Sequence, residues 1–215
     1  MKKLILLVIT VTVMANIGNA QVMRADYRDK LQFGLKAGAN YSNVYDAKGQ
    51  EFRANGKFGF VAGAFVAIPI VRYIGFQPEL LFSQKGFKAT GIILGSTYDF
   101  TRTTNYIDVP LLISLKPSRY FSILAGPQYS YLIKQKDVFA NAASTIEQEQ
   151  EFENDNIRKN TFCFLGGFDI NYNQLVIGAR VGWDILNNNG NGTSTTPRYK
   201  NVWYQATLGF RFISE

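Results

Sequence analysis

Seven charged side chains share the polar parity of an otherwise alternating chain: Lys36, Glu79, Lys85, Asp108, Asp169, Arg180 and Arg211. Four are cations and three are anions, so side chains of this set enclosed in one space could pair almost completely. Buried charges persist only when paired, which makes electrostatic closure of a polar interior the chemistry this set supports. Catalysis fits it poorly. The chain contains no histidine, the usual general base, proton shuttle and metal ligand, and no enzyme is expected.

Other reactive groups carry little more. Cys163 is the sole cysteine, so no internal disulfide can form, and its place inside an alternating, strand-like segment predicts a small buried residue. Glu147, Glu149, Glu151, Glu153 and Asp155 alternate with Gln148, Gln150, Phe152 and Asn154. Carboxylates suit hard cations, but this spacing matches no calcium loop, and a solvated acidic tip accounts for it. Alternatively the alternation extends the flanking strands. Gly63, Gly95 and the pair Gly166-Gly167 precede no helix and form no phosphate loop, so neither a cofactor nor a metal is expected.

The elements that must position the seven charges are strands. Apolar and small-or-polar residues alternate with a period of two in eight stretches, at about 31–42, 57–67, 74–86, 104–115, 120–132, 160–171, 175–185 and 201–213. In the first, Leu31, Phe33, Leu35, Ala37, Ala39 and Tyr41 oppose Gly34, Lys36, Gly38 and Asn40. The connectors alternate strictly. Those at 43–56, 87–103, 133–159 and 186–200 are long, whereas those around 68–73, 116–119 and 172–174 are short. This pattern predicts an all-β fold, an eight-stranded antiparallel up-and-down transmembrane β-barrel with its long loops on the outer side.

Export is written at the N-terminus. Lys2 and Lys3 precede an apolar run from Leu4 to Ile17, and Gly18-Asn19-Ala20 supplies the small residues of a cleavage site. Residues 1–20 read as a cleaved signal, 21–30 as a short periplasmic segment and 31–215 as the barrel, placed in a bacterial outer membrane. Loss of the two lysines takes the formal charge from +7 to +5. That excess is scattered, so no nucleic acid is expected as a partner. The expected partners are outer-membrane lipid and proteins met through the four long loops, with the barrel itself monomeric.

A soluble ligand-binding barrel would turn its apolar parity inward and its charges to water. Two features favour lipid outside instead. Glycines and other small residues crowd the polar parity, as a narrow concave interior requires, and the apolar parity is almost free of charge. Phe33, Tyr41, Phe58, Phe121, Tyr131, Phe162, Trp183 and Phe212 stand near strand ends, as in the aromatic girdles of a bilayer. Inside, the charges either plug the barrel or line a narrow gated path for ions or small solutes. An eight-stranded barrel is just wide enough for side chains to fill, which favours the plug.

Gln77-Pro78-Glu79-Leu80-Leu81-Phe82-Ser83-Gln84-Lys85-Gly86 closely resembles the third-strand signature of the PorT-like outer-membrane β-barrel proteins of Bacteroidetes-type bacteria. Gly34-Leu35-Lys36-Ala37-Gly38-Ala39-Asn40, Tyr106-Ile107-Asp108-Val109-Pro110-Leu111-Leu112 and Ala125-Gly126-Pro127-Gln128-Tyr129 extend the likeness across the chain in order. The resemblance implies an eight-stranded barrel like the membrane domain of OmpA, and a structural or interaction role, with help to secretion across the outer membrane or surface recognition through the loops. It transfers no catalytic residue, because that family has no established active site.

Overall fold

The computed structural model describes residues 26–46, 54–93, 96–141, 145–150, 158–188 and 199–213. The signal at 1–20 and the acidic residues Glu151, Glu153 and Asp155 lie outside them. Nine strands are present among the described residues: β1 (Gln32–Asp46), β2 (Ala54–Val71), β3 (Ile74–Ile93), β4 (Ser96–Ser118), β5 (Phe121–Asn141), β6 (Thr145–Gln150), β7 (Asn160–Tyr172), β8 (Leu175–Asp184) and β9 (Tyr199–Ile213). Eight of them close an antiparallel ring, β1 through β5 and then β7, β8 and β9, with β9 returning to β1 from Gln32↔Ile213 to Asp46↔Tyr199. The short β6 stands beside this ring, paired only to the upper part of β5 through Gln135–Ala140.

The alternation becomes an inside and an outside. Large apolar side chains on one parity, among them Leu35, Phe58, Leu80, Ile113, Ile177 and Leu208, are exposed on the outer surface, whereas the intervening positions are buried. Exposed apolar surface on all eight strands of the ring is unsustainable in water, and lipid is its natural solvent. This removes the soluble ligand-binding alternative. Phe33, Tyr41, Phe58, Tyr131, Phe162, Trp183 and Phe212 all face outward, and Phe121 is half-buried.

The strands run further than the sequence predicts. β3, β4 and β5 contain 20, 23 and 21 residues, about twice the 9–11 needed to cross a bilayer. Pairing of β3 with β4 continues to Ile93↔Ser96, and of β4 with β5 to Tyr98↔Asn141. Much of the expected loops 43–56, 87–103 and 133–159 is therefore sheet. Polar threonines and asparagines conceal these extensions in the sequence, because backbone ladders need no apolar face once a neighbouring strand is present. The short turns shrink likewise to Arg72-Tyr73, Arg119-Tyr120 and Asn173-Gln174. Asn173 takes φ 51°, a left-handed conformation that tight hairpins demand and asparagine tolerates. Pro69, in the short connector expected around 68–73, sits instead within β2, where the register slips between Pro69 and Val71.

One glycine is required by the path of the chain. Gly86 has φ +150°, and a Cβ there would lie 2.1 Å from the carbonyl oxygen of Arg102. The Ser42 hydroxyl spans the spot, accepting from the Gly86 amide and donating to its carbonyl, both at 2.8 Å.

Candidate functional site

The predicted charges enter the lumen, but as separate groups rather than as one connected set. At mid-height, β1, β3, β7 and β8 contribute Lys36, Glu79, Asp169 and Arg180, none more than 6% exposed. Lys36 donates to Glu79. Arg180 reaches across the lumen, with Nη1 donating to both Glu79 oxygens at 2.9 and 3.0 Å and Nη2 to both Asp169 oxygens at 2.9 and 3.0 Å. Gln77 gives Glu79 another donor at 2.9 Å. The two cations and two anions balance, and the guanidinium's planar fork suits two carboxylates at once.

Lys85 and Asp108 form their own pair toward the outer side, 3.0 Å apart and each 1% exposed. The Lys85 ammonium also lies 3.7 Å from the centre of the Trp203 ring and 4.9 Å from that of Tyr106. Such close cation–π contacts help to replace the water the lysine has lost. Arg211 stands apart at the periplasmic end, donating to the Asn173 carbonyl at 2.8 Å and to Gln32 at 2.9 Å.

Sequence reasoning missed three parts of this interior. The first is apolar. Leu112, Leu124, Leu165 and Trp203, from β4, β5, β7 and β9, pack with essentially no exposure around Cys163, which is buried as expected, and Leu81 on β3 and Val61 on β2 are likewise buried. Leucines at positions otherwise polar, such as Leu112 between Asp108 and Ser114, were the available signal. The second is Asp184, buried at 3%, which accepts from the Asn201 amide at 3.0 Å, its side chain at 2.5 Å and the Cys163 thiol at 3.1 Å.

The third lies within the strand extensions. Arg102 of β4 donates through Nε and Nη2 to the two oxygens of Asp137 on β5, at 2.8 and 2.7 Å, and through Nη1 to the Tyr199 hydroxyl at 3.1 Å. Phe87 and Phe100 pack around this guanidinium, which stands 5.8 and 5.3 Å from their ring centres. Val44, Ala89 and Tyr199 complete a buried cap with Phe87. No sequence signal separated these residues from loop composition, because each lies in a segment whose partners are distant in the chain.

Between the charge layers, Asn40, Ser83 and Gln205 exchange hydrogen bonds across β1, β3 and β9, at 2.9 Å from Asn40 to Ser83 and 3.1 Å from Gln205 to Asn40. The lumen thus stacks a neutral four-charge group, an amide and hydroxyl layer, an apolar cluster with the Lys85–Asp108 pair, and the Arg102 cap. Among the described residues, no group of three or more His, Cys, Asp or Glu is arranged to hold a metal ion.

A closed eight-membered antiparallel ring, apolar outside and charged inside, is the architecture of a family whose model, described as an outer membrane protein beta-barrel domain, matches residues 19–189. The chain belongs to this family. It is accordingly an outer-membrane protein, held in lipid by its outward faces. Similar solved structures include the Yersinia pestis attachment invasion locus protein Ail, 13% identical over 85% of this chain and 99% of that one with a TM-score of 0.47. Neisserial surface protein A is 11% identical over 84% of this chain and 97% of that one, at 0.48. OprG of Pseudomonas aeruginosa is 14% identical over 86% and 98%, at 0.41. Scores at this level add nothing to the family assignment. No curated protein matches the chain significantly.

Proposed function

We propose that this outer-membrane barrel is closed, and that it acts as a structural and recognition protein through the parts of its wall that stand beyond the outer lipid leaflet. The observation that carries the reading is Arg180, whose guanidinium bridges Glu79 on one side of the lumen and Asp169 on the other. An ion crossing this level would have to displace salt bridges already made, and then pass the apolar cluster around Leu112 and Leu165. The extended β3, β4 and β5, stiffened by the Arg102 cap and flanked by β6, supply a rigid outer platform. Rigid strands present a binding surface at lower entropic cost than free loops do. The likeness to PorT-like proteins favours secretion across the outer membrane as the process served, while the basic, apolar and small-residue pattern of the N-terminus makes residues 1–20 the export signal and residues 21–30 a short periplasmic lead into the barrel.

Two measurements test the reading. Reconstituted in planar bilayers, the wild-type barrel is expected to give no steady single-channel conductance, and a stable open state would favour the narrow pore instead. Deletion of the gene is expected to alter the secreted or surface proteome. Unchanged proteomes would remove the secretion role.

A further inference from the structure

The periplasmic mouth holds a cavity of about 300 Å³ between the N-terminal segment and the lower ends of the strands. Its lining is unbalanced in charge. Arg28, Lys116, Arg119 and Arg211 face it, whereas Asp169, the carboxylate on its wall, is already held at both oxygens by Arg180. Arg28 is matched by Asp26, which also takes a bond from Arg72. Lys116 and Arg211 are different. They are only 6% and 7% exposed, and among the described residues neither makes a salt bridge.

Their remaining donors are poorly used. Lys116 Nζ has one long contact, 3.4 Å to the Arg28 carbonyl. Ser114, 1% exposed and on the same side of β4, has an unpartnered hydroxyl. This oxygen and Lys116 Nζ flank one point above Gly75, 2.8 and 3.1 Å from where a Cβ would stand. Arg211 spends Nε and Nη1 on Asn173 and Gln32, which leaves Nη2. Asp29 and Asp26 act on Lys116, and Asp169 on Arg211, only at a distance. Two buried cations with no carboxylate in contact are costly, and the other buried cations of this lumen, Lys36, Lys85, Arg102 and Arg180, each have one.

We propose that this mouth is an oxyanion site, and that it takes a phosphate group between Lys116 and Arg211, with Arg28 and Arg119 at its rim. A phosphate supplies the missing negative charge and enough acceptor oxygens for an ammonium, a guanidinium and the side chains of Ser122 and Asn171, which also line the cavity. The volume admits a small phosphorylated solute or the headgroup of a phospholipid of the inner leaflet.

The test uses the full mature barrel, with heat-modifiable migration confirming that each variant is folded. One arm titrates inorganic phosphate into protein in a non-ionic detergent at low ionic strength, followed by calorimetry. The other compares thermal unfolding in nanodiscs with and without phosphatidic acid. Saturable binding or a rise in Tm in either arm, reduced at least tenfold or abolished in Lys116→Met and Arg211→Met, supports the site and names its source. Absence of binding in both arms, or binding equal in wild type and variants, overturns it. A further sign is independent of ligand: Lys116→Met is expected to be at least as stable as wild type in phosphate-free buffer, because an unpaired buried cation has been removed. A clear loss of stability there would mean that Lys116 is already satisfied within the fold, and would also overturn the site.

Discussion

Replacing Glu79 by Gln tests the central layer most directly. The carboxylate receives Lys36, both contacts from Arg180 Nη1 and Gln77, while itself almost wholly buried. Glutamine preserves shape and one acceptor but removes the charge, so a neutral group of two cations and two anions becomes a group of charge +1. Leaving an uncompensated charge in a buried ion pair costs about 3–5 kcal/mol. Lys36→Met alone produces the opposite imbalance. The double variant Lys36→Met with Glu79→Gln restores neutrality and keeps the Arg180–Asp169 fork, so it should be more stable than the sum of the single effects by about 1–3 kcal/mol. Equilibrium unfolding in guanidinium from lipid vesicles reads all four proteins, with the buried Trp203 and the outward Trp183 as fluorescent reporters. The aqueous unfolded state is the correct reference, since the desolvation of these groups occurs on entering the barrel. Single variants within about 0.5 kcal/mol of wild type, or strict additivity in the double, would show that water already screens this layer. Closure by paired charge would then be wrong.

Three further outcomes are expected. Leu208, exposed on the outer wall of β9 and paired with Ala37, faces lipid, so Leu208→Arg should destabilise by about 2–4 kcal/mol in vesicles if it lies near the midplane, a penalty that a water-facing position would not show in the same unfolding assay. Gly86→Ala should destabilise by at least about 1–3 kcal/mol, since it adds a strained backbone to a contact of 2.1 Å with a carbonyl, and a normal unfolding midpoint would contradict that geometry. The Asp26 carboxyl is held well below the usual carboxylate range, first by its side-chain hydrogen bond from Arg28 against the opposing effect of burial. Its contribution to docking the N-terminal segment is therefore complete above the ordinary aspartate value of about 3.9 and is lost as pH falls below it. Amide exchange of residues 27–30 should then be flat, after correction for intrinsic rate, from pH 8 to 5 and rise in more acid buffer in wild type but not in Asp26→Asn.

Much of this barrel was legible without coordinates, for a geometric reason. A strand sends successive side chains to opposite faces, so Leu35 and Lys36 must part company whatever else the chain does. Ring closure by eight strands follows from their number and from the need to leave no edge in lipid. The same parity put Lys36, Glu79, Lys85, Asp108, Asp169, Arg180 and Arg211 on the inner side. Parity says which way a side chain points, and stops there.

What meets what depends on strand stagger and on the reach of each side chain, and neither is local. Arg180 touches Glu79, 101 positions away, whereas Lys85 has separate company in Asp108 and Trp203. Arg102, Asp137 and Tyr199 read as three unrelated loop residues until the extended ladders bring them to one point. Leu112 and Leu165 stand on the parity that is otherwise polar, and they complete an apolar layer that only four converging strands could form. The sequence by itself determined the solvent on each face of the wall, because that is a property of alternate residues. Tertiary structure alone decided how the lumen is divided into paired, apolar and unpaired layers, because those contacts are made across the barrel between residues whose separation along the chain carries no information about their distance.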